Sequence, residues 1–514
     1  MLTMPPSRLV FTAAVVALSA CLLPEYQGQG AGGAGGVGAG SGGTGPVGAA
    51  GGSGAAGASG GMQGVCPEEF SFSFDSPGGY LQVTDAIVHP DTAGIVIAGS
   101  FTGQYGGLQS LANEQNLFLS GLDPAGNRLW SHHIHSTAGY MRIEQMIPTP
   151  DGGVVVALTN LGGIAINEEP QSADVTHGLV IRFGGDGVIA WQQTIACQNP
   201  IIDALIDTVA LSNDRLLVGG TAGGGLIVDT EPVGGIDESF LFVLELDAST
   251  GVLVDAQTWN GFGKVAGIAE ANGSRFVFGH YSTNPPVFGV EMNPPPYASP
   301  SQLFVVKFPP APEAPSATAF GFTVRDERAL EMLPDGDGFV IAARVGPGDD
   351  SPLEPSGPSI AGERQASMLA RVTEDLVVDW ITLNETTVLL DYHFEPTALG
   401  RQAGGYVMGH LHTIDDATTH VSGSDEKAPL VDSILIHYDA NGLVDGLLRY
   451  PDTPKDGGGI NAAFIRAHPT PCGDLTYGYF FGKLMWGGVE YNAVVDDRSV
   501  LAFQRAPGLV FNPL

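Results

Sequence analysis

The chain has 514 residues, and its 55 acidic against 21 basic side chains give a formal net charge of −34. That balance excludes a nucleic-acid partner, because a phosphate backbone has to be met by clustered Lys and Arg. It suits a soluble, self-repelling surface outside the cytoplasm and carries no information about fold. The 74 Gly and 36 Pro are far above ordinary usage, but much of the Gly lies in one segment, so the chain is read in two parts.

Residues 1–20 carry the parts of an export signal. Arg8 and the amino terminus form a short positive region, and Leu9 to Leu18 is an apolar run broken only by Thr12. Ten residues are too few to cross a bilayer core of about 30 Å as a helix. The run closes as Leu18-Ser19-Ala20-Cys21, which resembles the lipobox of bacterial lipoproteins. The resemblance implies cleavage before Cys21 and acyl chains on it, a multi-chain anchor that holds the protein to a membrane. Leu22, where an Asp would favour inner-membrane retention, points to the outer membrane of a bacterial envelope.

Residues 21–65 form the second segment. Between Gly28 and Gly64, 19 of 37 residues are Gly, the rest are mostly Ala, Ser and Thr, and none is charged. Such a stretch cannot bury enough apolar surface to offset its ordering entropy. It is expected to be a coil spanning roughly 30–35 Å that holds the following domain clear of the membrane.

From residue 66 to 514 the chain repeats. Three apolar or β-prone residues followed by Ala or Gly recur, beginning at Ile95, Val154, Leu216, Phe276, Phe339, Tyr406 and Leu475, with spacings of 59 to 69 residues. The small fourth residue suits a place where backbones approach closely. A second strand starts near Leu117, Leu179, Leu241, Leu303, Met368, Ile434 and Val500. A turn such as Asp123-Pro124-Ala125-Gly126-Asn127 then leads into a last strand. Trp130, Trp191, Trp259 and Trp380 fall there, where an aromatic ring would pack between neighbouring sheets.

Short strands broken by turn signals, without an amphipathic helix, make the domain all-β. Each unit has room for four antiparallel strands and one long loop. Seven such units predict a seven-bladed β-propeller of four-stranded antiparallel blades, since the rungs of an open solenoid are much shorter. Phe70-Ser71-Phe72-Ser73-Phe74 parallels Leu129-Trp130-Ser131-His132-His133, so the domain opens on a fourth strand that belongs at the outer edge of the last blade. Leu509-Val510-Phe511 competes for that slot.

Cys66 precedes this opening strand and Cys472 lies in the turn before Leu475, on the same face of the blade. In an oxidising compartment the expectation is a ring-closing Cys66–Cys472 disulfide with Cys197 left out of it; the alternative is three thiols with no bridge.

With these residues in view, the blades resemble the SBBP-type β-propeller repeats of myxobacterial lipoproteins. The first blade carries the likeness: Ile97-Ala98-Gly99-Ser100-Phe101-Thr102-Gly103, Asn116-Leu117-Phe118-Leu119, and Asp123-Pro124-Ala125-Gly126-Asn127-Arg128-Leu129-Trp130. In addition, Leu246-Asp247-Ala248-Ser249-Thr250-Gly251 is similar to a segment in the propeller scaffolds of outer-membrane assembly lipoproteins. The resemblance implies an architecture, not an activity.

Chemistry-bearing clusters are few. His132, His133 and His135 are expected to be surface histidines on an outermost strand without a carboxylate nearby in sequence, and His410, His412 and His420 to be solvated in the long loop of blade six. Asp335-Gly336-Asp337-Gly338 and Asp415-Asp416 could supply oxygens to a structural calcium, but neither has the spacing of a calcium loop. No G-x-S-x-G elbow, H-E-x-x-H helix or phosphate-cradling loop is present, so no catalytic residue, cofactor or metal site is assigned. The expected role is a non-catalytic binding or scaffold module, taking a protein or glycan ligand on the loops Asn284 to Pro300, Gly346 to Gln365 and Thr413 to Ala428. The alternatives are a glycan hydrolase or lyase with its site at the propeller channel, and an outer-membrane assembly scaffold.

Overall fold

The computed structural model describes residues 70–505, apart from 75–78, 90–91, 93, 113, 137–140, 172–175, 199–203, 235–238, 282–285, 291–301, 311–313, 321–327, 346–365, 387–393, 403, 413–417, 422–423, 428–431, 451–462, 471–472 and 487–488. Among the described residues there is no helix. The strands pair antiparallel throughout, in seven sheets of four or six strands and one two-stranded ribbon.

Sheet one shows the plan. Its strands Leu81–Val88, Ile95–Phe101, Gln115–Leu122 and Arg128–Ser136 run from the inside outward as a simple meander. The inner strands of sheets two to seven are Met141–Pro148, Leu205–Ser212, Gly263–Ala271, Arg328–Asp335, Phe394–Gln402 and Ala463–Thr470. Each inner strand touches the next, and the last touches the first, so the sheets close around a central axis. Apolar residues fill the gaps between sheets. Ile87, Leu119 and Ile134 meet Met141, Val156 and Leu179, and Leu81, Val83 and Ile97 of sheet one meet Leu475 and Tyr477 of sheet seven. The fold is β-propeller-like.

Phe70–Phe74 is the outer strand of sheet seven, in the place expected for it. It pairs antiparallel with Val489–Arg505, Phe70 opposite Phe503 and Phe74 opposite Ser499. The first described strand is thereby sewn to the last part of the chain, which removes two open ends at once.

Two local devices repeat. The inner strand of each of sheets one to six slips its register by one residue, as between Val83 and Asp85, Ile206 and Thr208, or Ala329 and Glu331. In sheets one, two, three, five and six the residue after the slip pairs with the small fourth residue, as Asp85 with Ala98, Thr208 with Gly219 and Glu331 with Ala342; in sheet four the small residue is Gly267 itself, opposite Phe278. A bulge bends the strand and crowds its partner, so only a small side chain fits there. A Cβ on Gly219 would stand 2.7 Å from Val265 and 2.8 Å from Ile268 of the next sheet.

The second device locks neighbouring sheets. Trp130 donates from Nε1 to the Gly185 carbonyl (3.1 Å) and Trp191 to the Ala248 carbonyl (3.1 Å), each in the turn between the third and fourth strands of the following sheet. The ring lies on a left-handed glycine of that turn, Gly187 (φ 81°) under Trp130 and Gly251 (φ 74°) under Trp191. Trp380 covers Gly442 in the same way. Two residues beyond each Trp, a side chain grips the carbonyl of that glycine: His132 on Gly187 (2.7 Å), Gln193 on Gly251 (2.8 Å) and Thr382 on Gly442 (2.5 Å). The tryptophans therefore sit between sheets as the sequence suggests.

The uniform four-stranded sheet is corrected. Sheets one, two and five have six strands, because the loop of the following sheet folds into a hairpin and pairs with their outer strand. Ile164–Ile166 pairs with residues 134–136, Leu226–Val228 with 195–197, and Thr418–Val421 with 385–386. An outer strand presents a row of unmet N–H and C=O groups, and these hairpins meet part of it. The expected loop from Thr413 to Ala428 is thus largely the hairpin Thr418–Val421 and Ser424–Lys427.

Candidate functional site: the central axis

The repeated bulge has a chemical consequence. Asp85 and Glu331 resume the pairing after the slip on their inner strands, and Glu144 and Asp207 are the residues that the slip skips on theirs, so the bulges carry two pairs of interacting carboxylates, Asp85 with Glu331 and Glu144 with Asp207. Sheets one and five are not neighbours in the ring, yet the charge of Asp85 acts on Glu331, which places both on the space the inner strands surround.

Each carboxylate is partly held. Glu331 accepts a hydrogen bond from the Leu399 amide of the next inner strand (3.0 Å). Asp85 accepts from its neighbour Ala86 N (2.8 Å) and from the Tyr477 hydroxyl (3.2 Å). Asp207 faces Lys264 Nζ at 3.5 Å and accepts from Thr221 Oγ1 at 3.2 Å, while Glu144 pairs with Arg142 at 2.6 Å. Gln145 occupies the place equivalent to Glu331 and receives the Val209 amide (2.7 Å), so one neutral and one acidic residue perform the same inter-strand link.

Burial pushes Glu331 up to about 7, against the Leu399 hydrogen bond and with added repulsion from Asp85. Burial likewise pushes Asp207 up to about 6, with Lys264 opposing and Glu144 adding to it. Desolvation penalises the charged form, and like charges sharing an enclosure deepen the penalty. Carboxyls poised near neutral pH in a concave space are the groups that bind cations or move protons.

The sequence-predicted residues lie elsewhere. Cys21, Cys66 and Cys472 fall outside the described residues, as do most of the loops 284–300 and 346–365 and the pair Asp415-Asp416. Cys197 ends the strand Ile189–Cys197 and is half-buried.

The surface reading of the His132 group is corrected. The hairpin after Ile164 covers this strand, His133 is buried, and His135 Nδ1 meets Glu114 Oε2 at 2.6 Å. His132 takes a hydrogen bond on Nδ1 from Asn167 (2.7 Å) while Nε2 donates to Gly187, which fixes a neutral ring; burial lowers its pKa. His410 is also not a loop residue: it lies in the strand Gly405–His412, buried, with Nε2 2.8 Å from Ser367 Oγ. His412 ends the same strand, and His420 lies in the added hairpin opposite Glu385.

Asp335 and Asp337 are not a calcium site. Arg371 reaches Asp335 (2.9 Å), Asp337 (2.5 Å) and Asp379 (2.7 Å), Arg401 reaches the second oxygen of Asp335 (2.9 Å), and Tyr406 donates to it (2.7 Å). Asp335, Asp379, Arg371, Arg401 and Tyr406 line a cleft of about 580 Å³ between sheets five and six, with Trp380 as one wall. Two guanidinium groups balance Asp335 and Asp379, the two carboxylates of the cleft, so the cleft itself carries no net negative charge for a cation. Among the described residues no group of three or more His, Cys, Asp or Glu is arranged to hold a metal ion.

No family model matches the chain, and no curated protein does. Among solved structures it is similar to BamB from Moraxella catarrhalis, at 12% identity and a TM-score of 0.30, covering 82% of this chain and 100% of that one. It is also similar to Drosophila Plexin A in complex with Semaphorin 1b, at 8% identity and a TM-score of 0.34, covering 86% and 88%. A third is the acylaminoacyl peptidase of Pyrococcus horikoshii, at 10% identity and a TM-score of 0.34, covering 80% and 59%. At these scores the fold is argued from strand pairing, and none of these proteins lends its activity.

Proposed function

We propose that the chain is a lipid-anchored envelope protein whose seven-bladed β-propeller is a non-catalytic binding scaffold, and that it takes a cationic segment of a partner protein at the mouth of its central axis. The anchor is Cys21, the tether is the Gly-rich stretch to residue 65, and the membrane is the bacterial outer membrane. Seven sheets with touching inner strands and the pairing of Phe70–Phe74 with Val489–Arg505 support the blade count.

The observation that carries the binding reading is a pair of carboxyls on inner strands with raised pKa values, Glu331 repelled by Asp85 and Asp207 repelled by Glu144. A guest ammonium or guanidinium would be attracted by these carboxylates and would lower their self-repulsion. On the face where fourth strands cross to the next first strand, Tyr80, Leu205 and Phe262 are exposed beside the inner strands and offer apolar contact around the opening.

The test is calorimetric titration of the full chain with a decalysine peptide. The Asp85→Asn, Glu331→Gln double variant is expected to bind about tenfold more weakly, a loss of about 1.4 kcal/mol, with the difference shrinking at high salt. Equal binding by both proteins, or none by either, would remove the reading.

One observation favours a second reading. Two carboxyls on inner strands, Asp207 pushed up to about 6 and Glu331 to about 7, could serve as acid and base of a glycan hydrolase or lyase. Turnover of envelope glycans that is lost in Glu331→Gln would establish it.

A further inference from the structure

Sheets two and five carry the same lock, yet the seam beyond sheet two is closed and the seam beyond sheet five is open. On the third strand Arg182 pairs with Trp191, as Arg371 does with Trp380. Arg182 crosses to the turn of sheet three, donating to the Ala248 carbonyl (2.8 Å), which also receives the Trp191 N–H, and to the Ser249 carbonyl (3.3 Å). Arg371 does not cross. Asp335 and Asp379 stand where sheet two has Thr149 and Ala190, and with Asp337 they hold Arg371 on its own sheet. Trp380 covers Gly442, but its Nε1 has no hydrogen-bond partner among the described residues. Ala440 is placed as Gly185 is, two residues before the left-handed glycine of its turn, and its carbonyl receives no such N–H.

The facing sheet changes in step. Leu211 and Leu216, opposite each other in the first hairpin of sheet three, correspond to Arg401 and Tyr406 in sheet six. Leu216 is core at the closed seam. Tyr406 instead donates to Asp335, and Arg401 spends one Nη on the same carboxylate with its side chain 59% exposed. The result is the cleft of about 580 Å³, within the range of roughly 300–1,000 Å³ that small-molecule sites occupy. Gly404 is part of its lining, and a Cβ there would meet nothing within 4 Å, so the cleft is open to solvent at that point.

The groups left over in the cleft select the guest. The rest of the Arg401 guanidinium and the Trp380 indole N–H are donors; the second oxygen of Asp379 and the Ala440 carbonyl are acceptors. An anion would meet Asp379, 52% exposed, and the field of a chain of net charge −34, while a cation would meet Arg401. A hydroxyl both donates and accepts, so a neutral polyol satisfies the two kinds of group without facing a like charge. Its bonds to Arg401 and Asp379 would be of the stronger, charge-assisted type. We infer that the cleft between sheets five and six binds a neutral sugar unit of a glycan. This site is separate from the axis and does not depend on the cation-binding reading.

The experiment is saturation-transfer NMR of the full chain with cellobiose, maltose, lactose and diacetylchitobiose, then photolabelling with a diazirine glycoside of the tightest binder. At least one of these sugars is expected to bind, with adducts in the peptides that contain Trp380 and Arg401. Asp379→Ala and Arg401→Leu install the residues of the closed seam, and each is expected to weaken sugar binding about tenfold while decalysine titration is unchanged. Labelling of the native chain decides the site even if a variant fails to fold. No binding of any of these sugars, adducts elsewhere, or equal affinity in folded variants and native chain overturns the site. Tighter binding of glucuronic acid or glucosamine than of the neutral sugars overturns the ligand class.

Discussion

Gly251→Ala is expected to destabilise the fold by about 3 kcal/mol, from left-handed strain of about 1–2 kcal/mol and a steric clash of about 1–3 kcal/mol. Gly251 has φ 74°, and a Cβ there would stand 2.7 Å from the Trp191 ring of the preceding sheet. The control is Gly273→Ala. Its φ is 77°, but a Cβ there meets nothing within 4 Å, so only the conformational part should appear, about 1–2 kcal/mol. Thermal or denaturant unfolding of both variants separates the two contributions. Removing the ring in a Trp191→Ala, Gly251→Ala double variant should cost less than the sum of the singles, because the clash disappears with its partner. Equal losses in Gly251→Ala and Gly273→Ala would mean that the ring and turn do not form a lock.

That lock is the part of the fold most legible in the sequence. Trp at 130, 191 and 380, followed about 60 residues later by a turn glycine, is written in the spacing, as is the small residue at 98, 157, 219, 279 or 342. The place of Phe70–Phe74 could be read because its pattern matches a fourth strand and not a first. The added hairpins could not. Ile164–Ile166 with Glu169–Pro170 is too short to show a period, and its place depends on the unmet edge of a strand some thirty residues earlier.

The axial carboxylates were hidden for a different reason. Asp85, Glu144, Asp207 and Glu331 share no motif and come from four sheets, and a bulge shifts each relative to the alternation that would place it. A signal was nevertheless present. The residue pairing with the small fourth residue across the first hairpin is Asp85, Gln145, Thr208 and Glu331 in sheets one, two, three and five. Polar residues recurring at that one position mark the slip, with Glu144 and Asp207 immediately before it in sheets two and three. The histidines misled because burial depends on a neighbour's loop: His133 is covered by a hairpin from sheet two, and His410 by packing against Ser367 of sheet five.

Glu331→Gln is expected to stabilise the protein at pH 8 by about 2–3 kcal/mol and to leave it nearly unchanged at pH 4.5. The Glu331 carboxyl lies at about 7 in the folded chain against 4.5 in the unfolded one, because burial disfavours its anion. A raised folded pKa contributes stability that is complete below the unfolded value and is lost as pH rises through the folded value. Glutamine keeps an oxygen for the Leu399 amide and does not titrate, so its advantage grows between about pH 5 and pH 8. Asp207 adds a trend of the same sign, displaced toward its own value of about 6 and moderated by Lys264. His437 acts in the opposite direction. Burial pushes it down to about 4, so stability falls as pH drops from about 6.5 toward that value. The windows overlap with two acids against one imidazole, so from these groups the unfolding midpoint of the native chain should decline from about pH 4.5 to pH 8, and Glu331→Gln should remove most of that decline. A flat difference between the two proteins from pH 4.5 to pH 8 would show that the axis does not desolvate this group. Gln145 makes the same link without charge, so Glu331→Gln keeps the hydrogen bond and removes only the anion, and under the proposed cation-binding role the more stable variant should be the weaker binder of cationic peptide.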